Sequence, residues 1–237
     1  MHDDVKQPSE SAMPRPRTYN SSRRRAAAAE TRTAIVRAAH DLFLERGFRA
    51  TTVAAIAERA DVAVDTIYTA CGRKPDILRE LLERAISGED AAIPALQRAY
   101  VRDIAALPDA EAKLRRYARA IADIQPRLAP LVHLLQEAAV TEPGLATLWQ
   151  EIAGRRAANM RQFAADLAAT GQLRPGLSIE EVADTVWATN GPELYTLLVV
   201  QRGWALERFE RWLADTWIRL LLAPSSSPLA TAGPSPT

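Results

Sequence analysis

The stretch Thr51-Thr52-Val53-Ala54-Ala55-Ile56-Ala57-Glu58-Arg59-Ala60-Asp61-Val62-Ala63-Val64-Asp65-Thr66-Ile67-Tyr68-Thr69-Ala70 decides the fold. Thr51 and Thr52 are N-cap types ahead of the helical run Val53 to Ala60. Asp61 and Val62 make a tight turn, and Ala63 to Ala70 form a second short helix. Neither helix is long enough to be stable alone, so each must brace the other. Val53, Ile56, Ala57, Val62 and Ile67 are apolar at spacings that let the pair share a small core. Asp65, Thr66, Thr69 and Ala70 are then left outward, small enough to approach base edges. Two short helices joined in this way form a helix-turn-helix arrangement, in which the second enters a groove and the first crosses the backbone.

Working outward, a longer helix precedes the pair, from about Ala27 to Arg46, with Ile35, Ala38, Ala39, Leu42 and Phe43 on one face. Gly47 ends it, because glycine adopts a left-handed cap cheaply, and Phe48 follows as a capping hydrophobe. Ahead of this helix, Arg15, Arg17, Arg23, Arg24 and Arg25 occur with no acidic residue from Ser11 to Ala29. Such an arm suits phosphates or a minor groove, and a solvated tail is the plain alternative. Downstream, Gly72-Arg73-Lys74-Pro75 breaks the chain, and Pro75 suits the first turn of a helix from about Asp76 to Ser87.

The run Thr51-Thr52-Val53-Ala54-Ala55-Ile56-Ala57, then Asp61 to Tyr68, then Gly72-Arg73-Lys74-Pro75-Asp76-Ile77-Leu78, resembles the TetR-type transcriptional regulators. The likeness covers about Arg32 to Leu82. It implies an all-α homodimer with an N-terminal three-helix helix-turn-helix domain. A larger C-terminal helical domain would bind an effector and dimerise through its last two helices. Carried over by position, Thr52 and Ala54 would lie near phosphates, and Val64, Asp65, Thr66 and Thr69 would face the groove. Tyr68 and Lys74 match the family's phosphate-contacting tyrosine and lysine. Two positions depart from the pattern: Cys71 replaces an aromatic residue and Arg73 a small hydroxyl residue. Arg23, Arg24 and Arg25 join the expected DNA contacts from the arm. For Tyr68 the plain alternative is ring packing on the first helix; for Lys74 it is solvation. Cys71 reads as a small buried hydrophobe, since a lone thiol has no resolving partner.

The remainder reads as helices near Ala91 to Ala106, Asp109 to Ile124, Pro126 to Thr141 and Gly144 to Thr170. Ser178-Ile179-Glu180-Glu181 is a capping box opening a helix to about Val200, and a last helix spans Leu206 to Leu222. The domain boundaries expected are a disordered basic arm 1–26, a helix-turn-helix domain 27–75, a helical domain 76–222 and a disordered tail 223–237. All five tryptophans fall after residue 140. Trp212 and Trp217 share the last helix with Phe209, Leu213, Leu220 and Leu221, a broad apolar face suited to dimerisation. Asn190 and Glu193 interrupt the apolar stripe that carries Trp187. A polar residue on a buried face needs a partner, and for Asn190 an effector, Tyr100 or Arg119, or the symmetry mate would serve. Tyr100, Tyr117, His133, Gln136, Phe163, Trp187, Asn190 and Glu193 are the candidate ligand contacts. His133 reads more readily as a satisfied core histidine than as a ligand contact, and Glu193 reads also as half of a salt bridge.

Composition excludes several classes. The 237 residues are 48% hydrophobic and 25% charged with a net charge of +1, so the whole chain carries no field that would attract nucleic acid. The charge is uneven: residues 11–84 hold 14 Lys and Arg against 9 Asp and Glu, whereas residues 85–237 hold 15 against 17. One cysteine and three scattered histidines give no metal site, and neither metal nor cofactor is expected. No apolar run reaches the roughly 18 residues of a membrane span, and Met1 to Asn20 has no signal-type apolar segment, which leaves a cytoplasmic protein as the expectation. No Gly-rich phosphate loop or Gly-x-Ser-x-Gly elbow points to an enzyme. The expected function is a ligand-responsive repressor bound to a pseudo-palindromic duplex operator and released by a small, largely apolar molecule. An all-helical enzyme or a protein-binding adaptor is the alternative.

Overall fold

The computed structural model describes residues 18–88 and 93–224, with side chains from residue 23 onward and excepting that of Leu96. Arg15, Arg17, most of the expected arm, and residues 225–237 of the expected tail lie outside it. The chain is all-α. Helix α1 (Thr18–Ala50) is followed by α2 (Val53–Ala60), α3 (Val64–Cys71) and α4 (Lys74–Ser87). A 3-10 turn (Ala95–Gln97) leads to α5 (Ala99–Ala106), α6 (Ala110–Ala139) and α7 (Pro143–Ala168). Then come α8 (Ile179–Thr189), α9 (Pro192–Tyr195), a π-helical turn (Thr196–Gln201) and α10 (Leu206–Leu221).

Helix α1 starts nine residues before Ala27, so residues 18–26 are helical rather than an unstructured arm. No glycine or proline interrupts Thr18 to Arg46, and Ala26 to Ala29 are the strongest helix formers available. Gly47 breaks the helical path with φ 80°. Thr51 is buried and its hydroxyl lies 3.0 Å from the Leu42 carbonyl and 2.8 Å from that of Gly47, so it closes the end of α1. Thr52 alone is the N-cap of α2, accepting from the Ala55 N–H at 3.0 Å.

Two cores divide the molecule. One gathers Ile35, Leu42, Phe43, Ile56, Ile67 and Ile77 from α1–α4 with Leu131 and Leu135 of α6. The other gathers Leu114, Tyr117, Met160, Val182, Phe209 and Trp217 from α6, α7, α8 and α10. Helix α6 runs through both. It spans the two expected helices as one, despite Pro126 and Pro130 inside it. Each proline deletes one backbone bond, but α6 packs along its length against α1, α4 and α10, which hold its axis. The Arg127 guanidinium also donates to the Asp123 carbonyl at 2.9 Å, in the turn that Pro126 weakens.

The expected helix from Ser178 to Val200 is interrupted. Its capping box forms as read, with Ser178 and Glu181 bonding reciprocally. It stops at Asn190 because Pro192 forces Gly191 out of helical backbone, at φ −71° and ψ 162°. Similarly, Pro94 limits the expected Ala91 to Ala106 helix to a 3-10 turn and α5. Phe209, Leu213, Trp217 and Leu221 point into the second core, so most of the α10 face expected to meet a partner is covered by the subunit itself. After α10, Leu222 bridges Leu173, and the Arg174 N–H donates to the Leu221 carbonyl at 2.8 Å. This clasp sits beside the start of α6, where the Ala110 N–H donates to Gln172 Oε1 at 2.6 Å.

Candidate nucleic-acid interface and ligand cavity

Helices α2 and α3 meet through Ile56, Ala57 and Ile67, all buried against α1. Asp61, in left-handed backbone at φ 53°, makes the turn between them, with its N–H on the Glu58 carbonyl and that of Val62 on Ala57. With Ile67 and Cys71 inward, the opposite side of α3 faces solvent: Val64 (39% exposed), Asp65, Tyr68 (51% exposed) and Thr69. Thr66 is half-buried at its edge, and Ala54 is exposed on α2. Burial raises the Cys71 thiol, partly offset by Arg32 nearby, as suits a small apolar filler. Arg23, Arg24 and Arg25 are exposed on the first turns of α1.

Lys74 does not join this surface. Its ammonium donates to the Phe48 carbonyl at 2.7 Å and the Thr51 carbonyl at 2.9 Å, and lies 4.2 Å from the centre of the Phe48 ring. Burial lowers its pKa below the ordinary lysine range. Two of three N–H groups are occupied, so Lys74 holds the α1–α2 turn rather than standing free for a phosphate. Asp76 Oδ2 accepts from the Arg73 N–H at 2.9 Å and caps α4 from its third position, replacing the cap that Arg73 cannot supply.

Arg32 ties the exposed helix to α4. It donates to the Ala70 carbonyl at the end of α3 and, at 3.0 Å, to Glu80 Oε1. Glu80 also takes the Arg84 guanidinium at 2.6 Å. Burial pushes the Glu80 carboxyl up, but hydrogen bonds from Arg32 and Arg84 outweigh it and leave the pKa below the ordinary range.

One turn further along α4, Leu82, Glu83 and Ile86 form part of a cavity of about 890 Å³ between α4, α5, α6, α7 and the α8–α9 break. That volume suits a drug-sized molecule. Its walls are mainly apolar, among them Ile104, Ile121, Ile124, Leu128 and Ile152. Of the sequence candidates, Tyr100, Tyr117, Phe163 and Asn190 line it. The other four do not. His133 is half-buried elsewhere on α6, and Gln136 Nε2 donates to Glu193 Oε1 at 3.2 Å outside the cavity. Trp187 is 37% exposed, with the Arg156 guanidinium 4.6 Å from its ring centre.

Asn190 is the centre of the cavity's polar end. Its Nδ2 donates to Tyr117 Oη at 2.9 Å and approaches Met160 Sδ at 3.0 Å. Its Oδ1 accepts from Arg156 Nε at 3.0 Å, and its carbonyl from Gln125 Nε2 at 2.8 Å. Thus the buried amide expected to need a partner finds protein partners at both atoms. Tyr117 is wedged between Phe163 and Trp217, at ring-centre distances of 4.8 and 5.4 Å, and burial drives its hydroxyl pKa upward.

Gln125, Arg98, Arg155, Arg156 and Glu83 also line the cavity and were not among the sequence candidates. Gln125 lies between the two helices expected on either side of it, just ahead of Pro126, and no sequence pattern singles out the arginines. Glu83 takes Arg98 at 3.2 Å and Arg155 at 2.6 Å. Lys113 pairs with Asp166 at 2.8 Å and donates to the Ile104 carbonyl at 3.0 Å. Among the described residues no cluster fits a metal ion, and no helix is long and apolar enough to cross a membrane.

Residues 35–81 match the profile of the bacterial regulatory proteins of the tetR family. No curated protein matches the chain. Among solved structures, the SmeT–triclosan complex superposes with a TM-score of 0.64 at 20% identity, over 87% of this chain and 99% of that one. NalD of Pseudomonas aeruginosa, the secondary repressor of the MexAB-OprM multidrug efflux pump, gives 0.64 at 20% identity, over 81% and 97%. A transcriptional regulator of Saccharomonospora viridis in complex with choline gives 0.62 at 19%, over 82% and 99%. The braced pair α2–α3 with its exposed face therefore lies in the stretch that matches the tetR-family profile, and the chain as a whole has the all-α fold of these solved regulators.

Proposed function

We propose that the chain is a homodimeric transcription regulator that reads a pseudo-palindromic operator with two copies of α3 and is released by a small, largely apolar molecule held in the cavity. One observation carries this reading: Val64, Asp65, Tyr68 and Thr69 stand exposed on a helix whose other side is fully packed. A rigid helix with small and hydroxyl-bearing side chains outward suits a major groove. The exposed arginines at the start of α1 add a phosphate-seeking charge. Leu197, Val200, Leu206 and Leu220 are exposed along the last segments and offer apolar surface for a second copy.

Helix α4 supplies the link between ligand and DNA. It carries Lys74 and Glu80 at the reading head and Leu82, Glu83 and Ile86 at the cavity. A ligand that prefers one placement of α4 biases the spacing of the two heads, by no more than its difference in affinity for the two states. A hundredfold loss of operator affinity needs about 2.7 kcal/mol of such coupling. The triclosan and choline complexes of structural relatives, and the repressor role of NalD, support this class of function.

Selection of bound fragments from random duplex DNA tests it. A palindromic winner is expected, with affinity falling steeply against log salt. Tyr68→Phe should weaken binding to all sequences, and Thr66→Ala should relax discrimination among them. A chain that stays monomeric, selects nothing and shows a flat salt response is an enzyme or adaptor instead.

A further inference from the structure

Charge in the cavity is unequally settled. Glu83 is shared by Arg98 and Arg155, and Asp166 is paired with Lys113. Arg156 has no carboxylate within ion-pair distance among the described residues. Its Nε bonds Asn190 Oδ1, its Nη2 bonds the Trp187 carbonyl, and its Nη1 has no acceptor among them. Burial disfavours its charged form, and Tyr117 and Glu193 offset this from longer range. A second group at the same end is also unsatisfied. Gln125 is 1% exposed, and its Oε1 has no hydrogen-bond partner among the described residues. Its orientation is fixed by Nε2, which donates to the Asn190 carbonyl, an atom that can only accept. Arg156 and Gln125 therefore flank one residue, the first without an ion-pair partner and the second lacking a donor among the described residues. The rest of the wall is mainly aliphatic and aromatic.

We infer that the cavity's ligand is an apolar carboxylic acid with a hydroxyl or N–H beside the carboxylate, its carboxylate on Arg156 Nη1 and its donor on Gln125 Oε1. This rests on the effector reading above and gives the cavity a chemical preference. A neutral ligand leaves Arg156 as it stands, and a cationic one adds like charge beside a guanidinium that has no ion-pair partner of its own. Charge-assisted bonds of this kind in a shielded site are stronger than neutral ones.

The test uses the full chain and four probes that share a ten-carbon skeleton: 2-hydroxydecanoate, decanoate, decanol and decylammonium. Binding is read by calorimetry below their micelle concentrations. The expected order is 2-hydroxydecanoate tightest, then decanoate, then decanol at least tenfold weaker than the hydroxy acid, with decylammonium last. Arg156→Gln, which keeps a donor for Asn190, should bring hydroxy acid and alcohol to within about twofold of each other. The proposal is overturned if the alcohol or the amine equals the acids, if decanoate matches 2-hydroxydecanoate, if Arg156→Gln keeps the full preference, or if no probe binds. The wild-type order decides the matter even if the variant does not fold. Should decanol bind and Ile121→Trp, which fills the cavity, abolish it without any preference for acids, the head group is wrong and the effector cavity stands. Operator selection judges the DNA-binding reading separately.

Discussion

The two ends of α6 are built on opposite plans. Around Leu131 and Leu135 the space between α1, α2, α3 and α4 is filled by Ile35, Phe43, Ile56 and Ile67, each essentially inaccessible to solvent. Around Tyr117 and Ile121 the helices instead stand apart over about 890 Å³, with a hydrogen-bonded cluster on Asn190 keeping them there. Solid packing suits a part that must present one fixed surface. An open interior suits a part whose helices must respond to what enters.

The largest effect expected bears on the solid end. Ile67→Ala removes a fully buried side chain under the exposed face of α3 and should cost about 3 kcal/mol, within the usual range for such truncations. Thermal unfolding and operator affinity should fall together; intact DNA binding in a destabilised chain would mean that α3 is not the reading surface.

A somewhat smaller loss, about 2–3 kcal/mol, is expected for Asn190→Leu, which strands Tyr117 Oη and Arg156 Nε. Here melting should shift and ligand binding weaken, while operator affinity at low temperature persists. If DNA binding disappears as well, the two ends are one cooperative unit and the contrast fails.

The smallest effect sharpens the join between them. At neutral pH, Glu80→Gln should cost about 1–2 kcal/mol by weakening the ties to Arg32 and Arg84. Because the folded pKa of Glu80 is depressed, its contribution is fully present above the ordinary glutamate value of about 4.3. It is lost as pH falls through the folded value. Wild type and variant should therefore converge in acid, as read by melting temperature against pH; a gap that stays constant would show that the ion pairs contribute nothing.

The contrast also explains what could be read in advance. The helix-turn-helix was legible because caps, a turn and two short apolar faces are local signals, and Ile56, Ala57 and Ile67 are buried as their spacing requires. The cavity was legible only in part. Tyr117 and Asn190 stood out as polar or aromatic residues on apolar faces, and they do meet. Gln125 and Arg156 carried no such signal. One sits beside a proline that breaks helices in most settings but not in a helix clamped on several sides. The other lies on a helix with weak apolar periodicity, where no pattern marks an arginine as inward-facing. Lys74 illustrates the converse: its position in the motif pointed outward, but two carbonyls left open where α1 ends drew it inward.

The clasp between Leu173 and Leu222 bears on how the protein can be handled. It fixes the last described residues next to Gln172 and the first turn of α6, whereas the reading head packs against that helix from about Leu131 onward. At 1.5 Å per residue, some 30 Å of rod separates the two sites. A fluorophore or surface linker attached near Pro224 would thus sit well away from a bound duplex, and single-molecule recordings of operator exchange could be made on tethered chains without crowding the DNA.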